Sequence, residues 1–542
     1  MQLHAADLAR DCDRIALAGA RRARSLMATS SDEYLETAIS PGHARTRRAI
    51  TRIAQADTAA IHYWSATRLA RAIRQKQIGC AELLAAFLSR IEKHNPRLTA
   101  IVDLDLAGAR KQAEAADAAL ARDSAVGPLH GIPMTVKDSV DVAGLASTWG
   151  FGELKNNRPA KSAQVVEALT EAGAIVFGKT NVPLGLLSWE TFNDVFGTTN
   201  NPWDVTCSPG GSSGGAAAAL AAGLSALELG SDSAGSSRGP AHYCGIYAHK
   251  PTYGVVSIEG QSLPGVGSVP DIMVLGPMAR SAEDLAVALD VMAGPDEAKA
   301  AAWRVTLPRS RLTKLSEFKV AIMSEHDGYD VDREVQARLD ELGGFLSRRG
   351  AHVSSQARPE IDFDAAHRLC LNLICASAAG AIPEPYWTQL TRMARLTAAR
   401  VDSELTSVIR GYTQSHREWI RNDQVRRQLQ TTWGSFFRDY DVLLTPVAAT
   451  AALPHDQSSR IDRFRKIVVN GKRVPATDQW FWAGLPAAAY LPATIAPIGF
   501  TSAGLPVGVQ IIGPQYSDHT CLSFAHLLEQ EYHSFVPPPG WN

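Results

Sequence analysis

Between Pro209 and Pro240 the chain is built almost wholly from small residues, and this block limits the fold more than any other. It opens Pro209-Gly210-Gly211-Ser212-Ser213-Gly214-Gly215, runs through alanines, and closes Asp232-Ser233-Ala234-Gly235-Ser236-Ser237-Arg238-Gly239-Pro240. Glycine backbone can approach other groups closely and adopt torsions closed to other residues. Two serines, Ser212 and Ser236, are set separately among these small neighbours. Lys137 stands upstream in Thr135-Val136-Lys137-Asp138. Two serines and a lysine can form a nucleophilic apparatus that calls on no histidine, carboxylate or metal.

The rest of the chain bounds that reading. Its 542 residues are 45% hydrophobic and 20% charged, as expected of a globular enzyme and not of a disordered chain. With Lys plus Arg at 54 and Asp plus Glu at 55, a nucleic-acid or anionic-membrane partner has little electrostatic support. The 7 cysteines form no Cys-x-x-Cys and no Cys/His zinc spacing, which suits reduced thiols in the cytoplasm. Cys207 lies close to Ser212 in sequence, but a small buried hydrophobe is its simpler reading. The N-terminal stretch lacks a signal-peptide apolar core, and Asp7, Asp11 and Asp13 argue against a transit peptide. No apolar run is long enough to span a bilayer.

Residues 1–60 read as a helical N-terminal extension, broken near Ser30-Ser31-Asp32 and suited to packing or a homodimer contact. Residues 61–542 read as one catalytic domain. Apolar residues return at helical spacing from Trp64 to Lys93. A strand over Ile132–Val136 delivers Lys137, and a helix over Ser162–Ala172 leads to a strand at Ala174–Phe177. Further strands are expected at Lys319–Met323, Val442–Thr445, 491–496 and 507–512, with a helix over Val331–Arg349. This interleaving predicts an α/β fold around a large mixed, mostly parallel sheet with helices on both faces. Residues 270–430 carry little signal, and Asp456–Lys472 reads as polar periphery. The cluster Trp480-Phe481-Trp482-Ala483-Gly484-Leu485 suits either a substrate pocket or a core patch.

A serine hydroxyl is a weak nucleophile until a base takes its proton. Lysine can be that base if burial lowers its pKa from ~10.4 towards ~7–8. Taken alone, Lys137 would be a solvated surface group and the glycine-serine block a turn before an alanine-rich helix. A phosphate loop is excluded because no lysine follows the glycines. A nucleophile elbow centred on Ser213 is formally present, but loop residues precede it where a strand is needed. Consecutive backbone N–H groups in the second half of the block could converge into an oxyanion hole.

Taken together, Gly-Gly-Ser-Ser-Gly-Gly and Asp-x-x-Gly-Ser-x-Arg-x-Pro resemble the amidase signature of fatty acid amide hydrolase-type and bacterial amidases. Gly131-Ile132-Pro133, Gly178-Lys179-Thr180-Asn181, Asn201-Pro202-Trp203, Lys250-Pro251-Thr252 and the ending Pro538-Pro539-Gly540-Trp541 extend the likeness. It implies Ser236 as nucleophile, Ser212 as proton relay after a cis peptide bond from Gly211, and Lys137 as base. The N–H groups of Ser233, Ala234, Gly235 and Ser236 would form the oxyanion hole. Leu186, Leu187, Trp189 and Ser212 would meet substrate, with Ser213, Asp232 and Arg238 in support. No cofactor or metal is implied.

Ala234 and Ser237 depart from the family's usual glycine and aliphatic residue. Ala234 would strain the loop if that position requires positive φ. His249 is also unusual and reads as a core histidine. The resemblance implies an amidase acting on a small-molecule carboxylic amide, aryl amide, ester or carbamate. A component of a tRNA-dependent amidotransferase, working as a glutaminase in a complex, is the other reading it allows.

Overall fold

The computed structural model describes residues 58–541 apart from 123, 125, 268, 383, 397–403, 460, 461, 463 and 464. The expected helical extension and its dimer contact lie outside the described residues, except for a 3-10 turn at Thr58–Tyr63. Two helices follow, Ala66–Arg74 and Cys80–Leu98, where the periodicity placed them. Ser65 caps the first by accepting the N–H of Arg68 at 3.2 Å, as a helix N-terminus favours.

The core is an 11-stranded sheet. In chain order its strands are β1 (Ile101–Leu104), β2 (Pro133–Lys137), β3 (Ile175–Thr180), β4 (Leu227–Asp232), β5 (Tyr247–Lys250) and β6 (Val274–Ala279). They continue with β7 (Lys319–Ile322), β8 (His352–Ser354), β9 (Val442–Thr445), β10 (Ala493–Phe500) and β11 (Pro506–Ile512). The spatial order is β1-β3-β2-β4-β6-β5-β10-β11-β9-β7-β8. The expected mixed α/β architecture is the one the chain builds. Its parallel pairs lie in two flanks, β3-β2-β4 and β9-β7-β8, while the middle of the sheet runs antiparallel. Antiparallel neighbours such as β10 and β11 need only a short loop between them. Parallel ones need a crossover helix, here Gln164–Glu171 between β2 and β3.

Helices cover both faces, and strand alternation shows which is which. Ala248, Met278 and Ile495 share one face, packed with the helices Gly214–Ala221 and Arg238–Cys244 through Ala216, Ala217, Leu220, Ala241 and Cys244. The alternate residue His249 points to the other face, where it meets Asp518 at the start of helix Asp518–Glu531. The expectation of a core histidine holds, since His249 is fully buried between Thr494 Oγ1 at 2.8 Å and Asp518 Oδ1 at 3.1 Å.

Every residue of the alanine-rich helix Gly214–Ala221 is buried. A helix apolar on all sides belongs in the interior, and alanine keeps this one thin enough for the adjoining loops to close on its start. The Asp456–Lys472 segment is largely exposed, as its composition suggested, but departs from that reading at its charged residues 462 and 465. Asp462 and Arg465 are buried against Ser188 and Trp189, and the hairpin Lys466–Val469/Lys472–Pro475 follows. Polar composition suggested a surface, but the charges are held by one another and by backbone groups, which is how buried charge is tolerated.

Candidate active site

β2 carries apolar residues inward and ends on Lys137, whose side chain is completely buried. Its Nζ lies 2.7 Å from Ser212 Oγ, 2.9 Å from Ser231 Oγ and 3.4 Å from the Ser231 carbonyl. Burial is the main force on this amine and pushes its pKa down to about 7, against the opposing pull of Asp232, Glu228 and Asp138. Glu228 is buried on β4 and takes hydroxyl hydrogen bonds from Thr135 and Thr180. Its desolvation raises the carboxyl to about 8, which weakens its pull on an ammonium at neutral pH.

The bond Gly211–Ser212 is cis. A Cβ on Gly211 would lie 2.3 Å from the Ser188 carbonyl oxygen, so only glycine fits there. Ser213 is the residue before helix Gly214–Ala221, with its buried hydroxyl directed at the Ser231 carbonyl. No strand precedes it, which removes the elbow reading. Its backbone N–H donates to the Ser236 carbonyl at 2.8 Å, so the two serine loops are stitched together. The Ser236 hydroxyl is half-buried and has no hydrogen-bond partner among the described residues.

The loop from Asp232 to Ser237 is organised by Asp232. This carboxylate accepts from Gly235 N at 2.8 Å, Ser237 N at 3.1 Å and Ser237 Oγ at 2.9 Å. Arg238 adds Nη2 at 2.7 Å and Nε at 3.0 Å. Burial alone would raise the Asp232 pKa, but Arg238 and the Gly235 N–H outweigh it and hold the carboxyl well below its usual value. Two sequence expectations change as a result. Gly235 gives its N–H to Asp232, leaving the N–H groups of Ser233, Ala234 and Ser236 without a protein acceptor among the described residues. Positive φ falls on Gly235 at 98° and not on Ala234, so the alanine is unstrained. Ser237, which stands where the family usually has an aliphatic residue, uses its hydroxyl as one more donor to Asp232.

Trp189 walls this loop. A Cβ on Gly235 would lie 2.5 Å from the Trp189 indole and 2.6 Å from Ala483. Trp189 also lines a cavity of about 330 Å³ with Tyr243, Leu453, Ile467, Gln479 and Arg465. Leu186 is half-buried with φ 63°, and Leu187 is 45% exposed. Of the aromatic cluster, Phe481, Trp482 and Ala483 are fully buried, so it is core whose Ala483 end packs against Gly235 of the Asp232–Ser237 loop. Cys207 is buried beside Trp189 and Tyr243, and burial pushes its thiol up to about 11, as a packed and unreactive group requires.

Sequence reasoning missed Ser231, although a serine one residue before Asp232, just upstream of the Ser236 loop, was a usable signal. Ser231→Ala removes an acceptor that favours ammonium over amine, because hydrogen bonds to charged groups are the stronger kind by about 1 kcal/mol. The acid limb of the pH–rate profile is expected to move down by about half to one pH unit. A kcat/KM profile between pH 5 and 9 checks this, and an unmoved limb would detach Ser231 from the lysine. Among the described residues, no three His, Cys, Asp or Glu side chains are grouped as metal ligands. No helix among them is long and apolar enough to cross a membrane.

The family model described as Amidase matches residues 82–522. The chain is 32% identical over 501 residues to the A subunit of the glutamyl-tRNA(Gln) amidotransferase of Moorella thermoacetica, covering 89% of this chain and 99% of that protein. The solved A subunit of the same enzyme from Thermotoga maritima superposes with a TM-score of 0.68 at 25% identity, over 85% of this chain and 94% of its own. A bacterial aryl acylamidase of the amidase signature family gives 0.73 at 24% identity, over 87% and 96%, a likeness of fold. The chain belongs to the amidase signature family, whose members are hydrolases acting on carbon–nitrogen bonds.

Proposed function

We propose that this protein is an amidase that hydrolyses a carboxylic amide through Ser236, Ser212 and Lys137 and a covalent acyl-enzyme. The observation that carries the reading is the complete burial of the Lys137 amine within hydrogen-bond reach of Ser212 Oγ. A neutral amine has two N–H donors and one lone pair. Ser231 offers two acceptors, its hydroxyl and its carbonyl, and Ser212 Oγ stands 2.7 Å away on the remaining side. An ammonium would donate its third proton to Ser212 Oγ, and it is burial, which brings the pKa to about 7, that frees this side of the amine for its lone pair to take the Ser212 proton.

In this scheme Lys137 takes the Ser212 proton as Ser212 takes that of Ser236, and the Ser236 oxygen attacks the carbonyl carbon. The N–H groups of Ser233, Ala234 and Ser236 hold the oxyanion. As the C–N bond breaks, the proton returns through Ser212 to the leaving amine, and water then cleaves the acyl ester. Substrate entry closes the gap between the Ser212 and Ser236 hydroxyls, since catalytic hydrogen bonds commonly tighten only in the complex. Leu186, Leu187 and Trp189 supply apolar walls, which suit an aryl or acyl group and would also serve an ester or carbamate.

A second reading, a glutaminase that works within a complex, draws on the 32% identity to the A subunit of an amidotransferase. One experiment separates the two. The purified chain is incubated with arylamides, fatty amides and carbamates, and with glutamine, beside Ser236→Ala. Turnover of an arylamide by the chain alone, reduced by at least about 10³-fold in Ser236→Ala, is the expected result. Glutamine hydrolysis only when the other proteins of an amidotransferase are added would favour the second reading. Activity surviving in Ser236→Ala would remove Ser236 as nucleophile.

A further inference from the structure

Arg238 is fully buried behind the nucleophile loop, and two of its nitrogens grip Asp232. Its third nitrogen, Nη1, reaches the Ala483 carbonyl at 2.5 Å and the side-chain oxygen of Gln510. Gln510 is a fully buried polar residue inside the otherwise apolar strand β11. Its amide has only one orientation that satisfies both ends. With the oxygen turned to Arg238, the nitrogen donates to Thr445 Oγ1 at 2.9 Å and to the Trp482 carbonyl at 2.8 Å. One amide therefore ties strand β9, the Trp482–Ala483 segment and Arg238 together. That same segment places Ala483 against Gly235.

We infer that Gln510 is a positioning residue for the oxyanion loop. Resting on the proposal that Ser236 is the nucleophile, the chain of control runs Gln510–Arg238–Asp232–Gly235. The Gln510 oxygen fixes the guanidinium, and the guanidinium fixes the carboxylate. The carboxylate draws the Gly235 N–H inward, which turns the neighbouring N–H groups outward to the site of reaction. Gln510 touches neither substrate nor serine. Its effect falls on the transition state, because displacements of about 1 Å in such a loop cost about 10²-fold in rate.

The test compares wild type with Gln510→Met, which removes the acceptor at similar volume, and Gln510→Glu, which keeps an acceptor for Arg238 and loses the donor. A fluorophosphonate serves as probe, with labelling rates followed by intact mass and the site located by peptide mapping. Arylamide kinetics accompany it below each variant's melting temperature. Gln510→Met is expected to label Ser236 and turn over 10- to 100-fold more slowly, with KM within about 3-fold. Gln510→Glu is expected to recover most of the rate despite a lower melting temperature. Equal losses in the two variants, or a folded Gln510→Met within 2-fold of wild type, would overturn the inference and leave Ser236 in place. If Gln510→Met does not fold, recovery or loss in Gln510→Glu decides. A wild-type chain that neither labels at Ser236 nor turns over would overturn both readings.

Discussion

Lys137→Met is expected to lower kcat by about 10³- to 10⁴-fold, the usual contribution of a positioned general base acting as part of a unit. Wild-type kcat/KM should rise with pH through an acid limb near 7, because the amine works only when neutral and burial has brought its pKa to about 7. The residual rate of Lys137→Met should lack that limb. A second, independent signature lies in stability. The Lys137 pKa is depressed from 10.5 in the unfolded chain to about 7 in the folded one. Between those values the unfolded state holds more protons, so wild-type stability rises with pH across the window. Below pH 7 the full penalty of the buried amine is present, and above 10.5 it has gone. Relative to Lys137→Met, wild type should therefore gain melting temperature from pH 7 to pH 10. Methionine leaves the Ser212 and Ser231 hydroxyls without the amine, which offsets part of its advantage at low pH but not the slope. Thermal melts of both proteins across this range measure it. A difference that does not change with pH would mean that Lys137 titrates normally, and the base would have to be sought elsewhere.

This trade explains why some of the site is legible in sequence and some is not. Lys137, Ser212 and Ser236 were readable as candidates only together, through the spaced motifs that resemble the amidase signature, because taken alone each segment reads as surface or turn. The strand limits were also readable where apolar runs were bounded by turns, as at Val442–Thr445, which matches β9. The antiparallel middle of the sheet was not. Its pairings, β6 with β4 or β10 with β5, join segments far apart in the chain, and a strand's own sequence does not name its neighbour. The donor count of the oxyanion loop was hidden for a similar reason. Whether the Gly235 N–H faces substrate or Asp232 depends on where Arg238 holds the carboxylate, and that depends in turn on Gln510 and Ala483, distant in sequence. Asp462 and Arg465 show the same limit from the other side. Their segment reads as solvated, yet the two pair with each other and with Ser188 under the Trp189 wall.

Arg238→Met should give the largest loss of stability and reverse its pH dependence. The pair Arg238–Asp232 is buried on both sides, with side chains 0% and 1% exposed. Removing one partner of such a pair costs about 3–5 kcal/mol, since the other is left as an uncompensated buried charge. In wild type the folded Asp232 pKa lies below its unfolded value of 3.8. Its contribution is thus complete above that value and is lost as pH falls through it. Without Arg238 the balance changes. The Gly235 and Ser237 N–H groups still stabilise the carboxylate, and the buried amines of Lys250 and Lys137 remain near it. In wild type Lys250 is pushed down to about 7, chiefly by burial and then by Arg238, and the burial part persists when Arg238 is removed. Desolvation, the largest single influence on Asp232, then prevails and lifts the folded pKa above 3.8. The folded variant would hold more protons than the unfolded chain, so its stability should increase as pH drops from 7 towards 5, where wild type gains nothing from this group. Chemical denaturation at pH 5, 6 and 7 distinguishes the signs. A variant whose stability relative to wild type stays constant between pH 7 and 5 would show that the backbone donors suffice to keep Asp232 ionised, and that Arg238 acts on the loop through shape alone.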